Sequence, residues 1–203
     1  MNKVFFASQY VDALQNSTGY YSSRLIDGLE IDGVKVTVIS NDPIFTRNGD
    51  RKSYLSQGSA KNKIIPRIFE QITVTGRLVL RIWRQVFAGD ILITGTNPVL
   101  MLPFIPILKL LFGFRWCLIV HDMFPDNLIP TKMMRRDTVL YRLIDWYFTY
   151  NYRSADRLVV IGRDMQKLME EKIGDTGSIQ FVPNWANDED VYPLPRSEAP
   201  FIS

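Results

Sequence analysis

The sequence predicts an α/β fold, a Rossmann-like doubly wound parallel sheet, on three observations. Short apolar runs alternate with longer segments of helical periodicity along most of the chain. No pair of apolar runs is joined by a two-residue Asn-Gly or Asp-Gly turn, so parallel strands are favoured over hairpins. The 203 residues, 46% of them hydrophobic, suffice for one good core and are too few for two comfortable α/β domains.

The elements follow in order. Lys3–Ala7 (KVFFA) reads as a first buried strand. A polar loop from Ser8 to Thr18 leads to a helix opened by Gly19, with Ser17 or Thr18 as its N-cap and Tyr20, Leu25, Ile26 and Leu29 near one face. Gly33 stops that helix, and Val34–Ser40 is a second strand. Residues 41–62 are polar and too long for a tight connection, which marks a functional or flexible loop. Ile64 to Phe87 carries one or two helices with an apolar stripe of Leu78, Ile82 and Val86.

Asp90–Thr94 is a third strand, and Asn97 to Phe112 a nearly all-apolar helix or broken helix, expected in the core. Arg115–Val120 is a fourth strand, Thr138–Tyr152 an aromatic-rich helix, Asp156–Ile161 a fifth strand, Arg163–Ile173 a short amphipathic helix and Ser178–Val182 a sixth strand. Residues 1–183 form the domain. Residues 184–203, containing Pro193, Pro195 and Pro200, read as an interdomain linker or tail.

Several function classes are excluded or weakened. Residues 4–7 are too few for a secretory h-region, which needs roughly 7–15 apolar residues. The most apolar stretch, 98–114, is broken by Pro103, Pro106 and Lys109 and falls short of a spanning helix. Cys117 is the single cysteine, so no internal disulfide forms and no Cys-rich metal site exists. No G-x-G-x-x-G, no P-loop and no G-x-S-x-G elbow is present. One histidine beside two carboxylates is not a metal cluster. Aromatics sit inside apolar periodic segments and no RNA- or DNA-binding motif appears, so nucleic acid is a poor partner. The net charge of +3 and pI near 9.0 favour anionic partners such as phosphates or a lipid surface.

In a doubly wound sheet, ligands bind beyond the carboxyl ends of the strands. Those ends are Ser8, Asn41, Thr94–Asn97 (with Thr96), His121–Asp122 and Gly162–Arg163. Gly19, with Tyr20 after it, opens a helix there: either its N–H groups meet a phosphate or it is simply a capped helix start. His121 can hydrogen-bond a sugar hydroxyl, hold a phosphate or act as an acid or base, or else tie two loops together. Asp122 and Asp126 can accept a proton, or cap turns beside Pro125. The stripe of Arg77, Arg81 and Arg84, with Lys61, Lys63 and Arg67, faces either anionic lipid or solvent, as does Lys132-Met133-Met134-Arg135-Arg136.

Taken together, the Gly-opened helix, DILITGTNP (90–98), LIVHDMFPD (118–126), ADRLVVI (155–161) and FVPNWAN (181–187) resemble the N-terminal half of family 4 glycosyltransferases of the GT-B fold, most closely bacterial enzymes of surface-polysaccharide synthesis. The resemblance spans about residues 3–195. It implies two Rossmann-like domains across a cleft, with this one on the acceptor side and a C-terminal domain, in the same or another chain, holding a nucleotide-sugar donor. It implies no cofactor and no metal. Gly19 matches the glycine beside the donor diphosphate, and His121 the histidine that contacts the transferred sugar. A Gly-Gly pair is replaced here by Thr18-Gly19, and Pro-Asn-Gly by Pro183-Asn184-Trp185. The family's acidic E-x7-E motif does not occur within these residues. The expectation is a peripheral protein at the cytoplasmic face of the inner membrane, acting on a lipid-linked or saccharide acceptor. The alternative is a non-catalytic, membrane-associated acceptor-binding subunit.

Overall fold

The computed structural model describes residues 2–12, 16–40, 64–174 and 176–184. The polar stretch 41–62, Lys61, Lys63, the side chain of Arg67 and the tail from Trp185 onward lie outside the described residues.

Six parallel strands form one sheet: β1 (Val4–Ser8), β2 (Val36–Ser40), β3 (Ile91–Gly95), β4 (Arg115–Val120), β5 (Arg157–Val160) and β6 (Ile179–Phe181), in the order β2-β1-β3-β4-β5-β6. The helices are α1 (Ser17–Ile31), α2 (Ile64–Gln85), α3 (Phe104–Phe112), α4 (Val139–Ser154) and α5 (Arg163–Ile173), with short 3-10 turns at Val99–Met101 and Asp126–Leu128. The fold is therefore the expected α/β Rossmann-like one. Strand order reverses between β1 and β3, and at such a switch point the loops diverge and leave a crevice at the carboxyl edge.

The two faces of the sheet are packed differently. Leu92, Trp116, Leu118, Val120, Leu158 and Val160 point to one face and are buried under α2 to α5. Phe6 and Val36 point to the other, where Ile26 of α1 covers them. Alternation along β4 makes this division: every second residue is inward, while Cys117 and Ile119 between them are half-buried. Burial also pushes the Cys117 thiol up to about 11, so it stays protonated and unreactive at neutral pH.

Two local expectations are corrected. The N-cap of α1 is Asn16, not Ser17 or Thr18: its side chain accepts the Gly19 amide at 2.9 Å. The stretch 98–114 is not simply a core helix. It is the broken helix the sequence allows, a 3-10 turn and then α3, but not wholly core: Ile105 and Leu108 are buried while Leu110 is 87% exposed. At the end of α1, Gly33 takes φ +82, the left-handed geometry that a side chain disfavours, and turns the chain into β2.

Candidate functional site

The carboxyl rim is built by register. Ala7 pairs with Thr94, Gly95 with Ile119 and Val120 with Val160. Residues just beyond these pairs, Gln9 and Tyr10, Thr96 and Asn97, His121 and Asp122, and Gly162 and Arg163, therefore line one edge at the strand spacing of about 4.8 Å.

His121 stands directly on the last residue of β4. Its ring packs beside Gly95: a Cβ there would lie 3.5 Å from Cδ2 and 3.8 Å from Nε2. Thr96, itself fully buried, accepts the amides of His121 and Asp122 on its hydroxyl at 3.3 and 3.4 Å. Thr96 is thus a positioning residue that aims the pair outward. Burial lowers the His121 pKa, opposed by the charge of Asp122, so the imidazole is neutral at neutral pH. A neutral imidazole offers one N–H donor and one acceptor, which suits a hydroxyl-bearing ligand. Asp122 is exposed and Asn97 half-buried.

The rest of the loop is held by the protein. Met123 and Pro125 are buried, and Phe124 stacks on Phe148 with centroids 5.4 Å apart. The Tyr152 hydroxyl accepts the Phe124 amide at 3.0 Å and donates to its carbonyl at 3.4 Å. Asp126 turns toward α4 and α5. It accepts the Tyr141 hydroxyl at 2.8 Å and pairs with Lys172 at 2.9 Å and Arg136 at 3.2 Å. Lys172 also pairs with Asp145. Burial would raise the Asp126 pKa, but hydrogen bonds from Lys172 and Tyr141 and the charges of Lys172 and Arg136 outweigh it and hold it low. Tyr141 is pushed up to about 12, by burial and then by Asp126. Asp126 is therefore built into an ion-pair anchor, away from His121 and Asp122.

Gly19 is buried where the preceding loop crosses the start of α1. A Cβ there would lie 2.1 Å from the Asp12 carbonyl oxygen, so only glycine fits without moving backbone. Its amide is taken by Asn16. Tyr20 packs edge-on against Tyr21 at 5.6 Å, with Arg24 over its ring. Arg163 lies over Phe181 at 5.7 Å, at the far end of the rim.

The arginine stripe does not act as one surface. Arg81 donates to the Ser40 carbonyl at the end of β2, whereas Arg77 and Arg84 are exposed. Among the second basic group, Lys132 is exposed, Arg135 pairs with Asp137 at 2.7 Å, and Arg136 belongs to the Asp126 anchor.

Sequence reasoning missed the polar set after β1. Gln9 donates to the Tyr10 hydroxyl at 3.1 Å and accepts from Gln71 of α2 at 3.4 Å. Their place at the switch point was the available signal. It also missed Lys172, although Tyr141 and Asp145, four apart on α4, share a face that calls for a cation.

Two cavities lie away from this rim. One of about 720 Å³ opens at the amino edge between Lys3, Lys35 and Arg84, and one of about 550 Å³ lies between α4 and α5 over the Asp126 anchor. Among the described residues no cluster of His, Cys, Asp and Glu is arranged to hold a metal ion.

No known protein-family profile matches the chain. Over 209 aligned residues it is 40% identical to a protein of Pseudomonas aeruginosa named probable glycosyltransferase WbjE; the match covers 100% of this chain and 52% of that protein. The chain spans about half the length of this curated relative. Among solved structures it is similar to Anabaena Alr3699/HepE in complex with UDP (TM-score 0.48, 10% identity, 92% of this chain and 45% of that one). A second structure of that protein, with UDP and glucose, gives a TM-score of 0.47 at 12% identity, covering 93% and 46%.

Proposed function

We propose that this chain is the acceptor-side half of a nucleotide-sugar-dependent glycosyltransferase of the GT-B type, family 4, acting in polysaccharide or glycolipid synthesis. The observation that carries the reading is the 40% identity to a probable glycosyltransferase along the whole chain. The placement of His121 at the carboxyl edge of the sheet, just past β4, supports it. A transfer between two large substrates needs a cleft, and the carboxyl edge of this domain would be one wall of it.

In this reading a second Rossmann-like domain, from the same or another chain, faces the rim and brings the sugar nucleotide. Residues 184–203 are, in this reading, the interdomain linker. His121 hydrogen-bonds the transferred sugar, Asp122 faces the acceptor hydroxyl, and Thr96 holds both. Asn97 and Arg163 flank the acceptor, and the α1 start at Gly19 and Tyr20 borders the diphosphate. The acceptor is lipid-linked, at the cytoplasmic face of the inner membrane.

The test is release of nucleoside diphosphate from a panel of nucleotide sugars, by the protein as its gene encodes it, with membrane extracts as acceptor. Acceptor-dependent release is expected, and His121→Ala should lower kcat by about 100-fold, the scale of one lost transition-state hydrogen bond. Full activity in His121→Ala overturns the site. Absence of transfer from every donor, with the second domain supplied, overturns the function in favour of a non-catalytic acceptor-binding subunit.

A further inference from the structure

The outer surface of the helical layer is unusually apolar. α2 has two apolar stripes. Val74, Leu78 and Ile82 are buried in the core, while Ile72, Leu80 and Trp83 repeat on the opposite side and are 55%, 37% and 53% exposed. α3 repeats the pattern, with Ile107, Leu110 and Leu111 at 56%, 87% and 68%. So does α4, with Leu143, Trp146 and Tyr150 at 60%, 70% and 58%.

The C-terminal ends of these helices adjoin. Phe87, just after α2, meets Phe112 of α3 edge-on at 5.9 Å. Lys109 of α3 donates to the Ser154 carbonyl at the end of α4 at 2.8 Å. The three helices thus lie side by side with α3 in the middle, each presenting an apolar stripe outward. Soluble monomers rarely leave contiguous apolar surface on this scale without a use for it.

The charges frame these stripes. On α2 the side that carries Arg81 turns to β2, and Arg77 and Arg84 are exposed along it. On α4 the opposite margin, toward α5, carries exposed Arg142 and Arg153. Across α2, α3 and α4 the acidic residues are Glu70 and Asp145, and Asp145 is paired with Lys172. An apolar centre with tryptophan and tyrosine, bounded on both sides by arginine, complements the acyl region and anionic headgroups of one bilayer leaflet.

We propose that the outward faces of α2, α3 and α4 form the membrane-docking surface, with the Ile107–Leu110–Leu111 ridge entering the leaflet and the two arginine margins on anionic headgroups. It replaces the arginine stripe alone as the contact, and it sharpens the membrane placement proposed above. Its test uses no sugar donor, so its failure and the failure of the transferase reading are separable. No described helix is long and apolar enough to cross a membrane.

The experiment is flotation of the protein as its gene encodes it with vesicles of phosphatidylcholine, with or without about one-third phosphatidylglycerol. Binding to anionic vesicles is expected. The double variant Leu110→Glu, Leu111→Glu should weaken it at least about tenfold with an unchanged Tm, because both side chains are exposed and their loss costs the core nothing. Arg84→Gln and Arg142→Gln should each weaken it about fivefold, on anionic vesicles only. If the double variant proves unstable, fluorescence decides: brominated lipid should quench the wild-type protein more strongly than Trp83→Phe. Absence of vesicle binding overturns the proposal, as does binding indifferent to both the double variant and Trp83. A dimer in light scattering that the double variant dissolves, without vesicle binding, overturns it in favour of a second copy of the chain.

Discussion

The loop after β4 contains two acidic sites made for different purposes. At its start Asp122 is exposed beside a half-buried neutral imidazole, both hung from the Thr96 hydroxyl. At its end Asp126 is 90% withdrawn from solvent, with a side-chain exposure of 10%, and is held by Tyr141, Lys172 and Arg136. Between them Phe124 and Pro125 are packed down. If the tip meets a ligand as proposed, the difference teaches that such a residue needs a rigid mount more than a partner. The Asp126 anchor and the Tyr152 clamp are that mount. Changes at the anchor should therefore cost stability, and changes at the tip should cost activity.

The largest stability effect is expected from Lys172→Met. It leaves Asp126 with only the exposed Arg136 as its cation and Asp145 with none, and removing one partner of a largely buried pair costs about 3 kcal/mol. Urea denaturation measures it; a loss under about 1 kcal/mol, the scale of a surface pair, would put the anchor in solvent instead. Gly19→Ala comes next, at about 2 kcal/mol, because the new methyl must displace the backbone at Asp12. A neutral Gly19→Ala would break the close-approach reading and return Gly19 to a purely ligand-facing role. Tyr152→Phe should cost about 1–2 kcal/mol, by leaving the Phe124 amide without its acceptor. In the transferase assay it should also lower kcat through His121 without touching substrate.

Much of this was legible in the sequence where pattern alone decides. Arg115–Val120 and Arg163–Ile173 fall where apolar runs and periodicity place them, because a buried strand between polar flanks has few alternatives. The α2 stripe of Leu78, Ile82 and Val86 is also where the sequence puts it. What sequence reading did not separate are patterns that look equivalent: α2 carries Leu80 and Trp83 on its opposite side, and they stay out of the core. His121 and Asp126 look alike as polar punctuation around a proline. Their separation depends on Lys172, distant in sequence and brought in by the α4–α5 packing. Asn16 was passed over as a cap because Ser17 and Thr18 compete for the same role next to it.

The smallest effect is the most direct reading of the loop's tip. His121 is the chain's single histidine, so its titration by NMR needs no assignment. Its folded pKa lies below the ordinary 6.5, burial outweighing the pull of Asp122. The folded protein therefore binds fewer protons here than the unfolded chain. The linked stability is full above pH 6.5, declines as pH falls from there toward the folded pKa, and is constant below it. The midpoint should fall further in Asp122→Asn, where the neighbouring carboxylate charge is gone, and should stay put in Asp126→Asn if the anchor is as far from the imidazole electrically as it is structurally. A midpoint above 6.5 would mean that Asp122 outweighs burial. The rim would then present an imidazolium at neutral pH, and the ligand it fits would be an anion rather than a sugar hydroxyl.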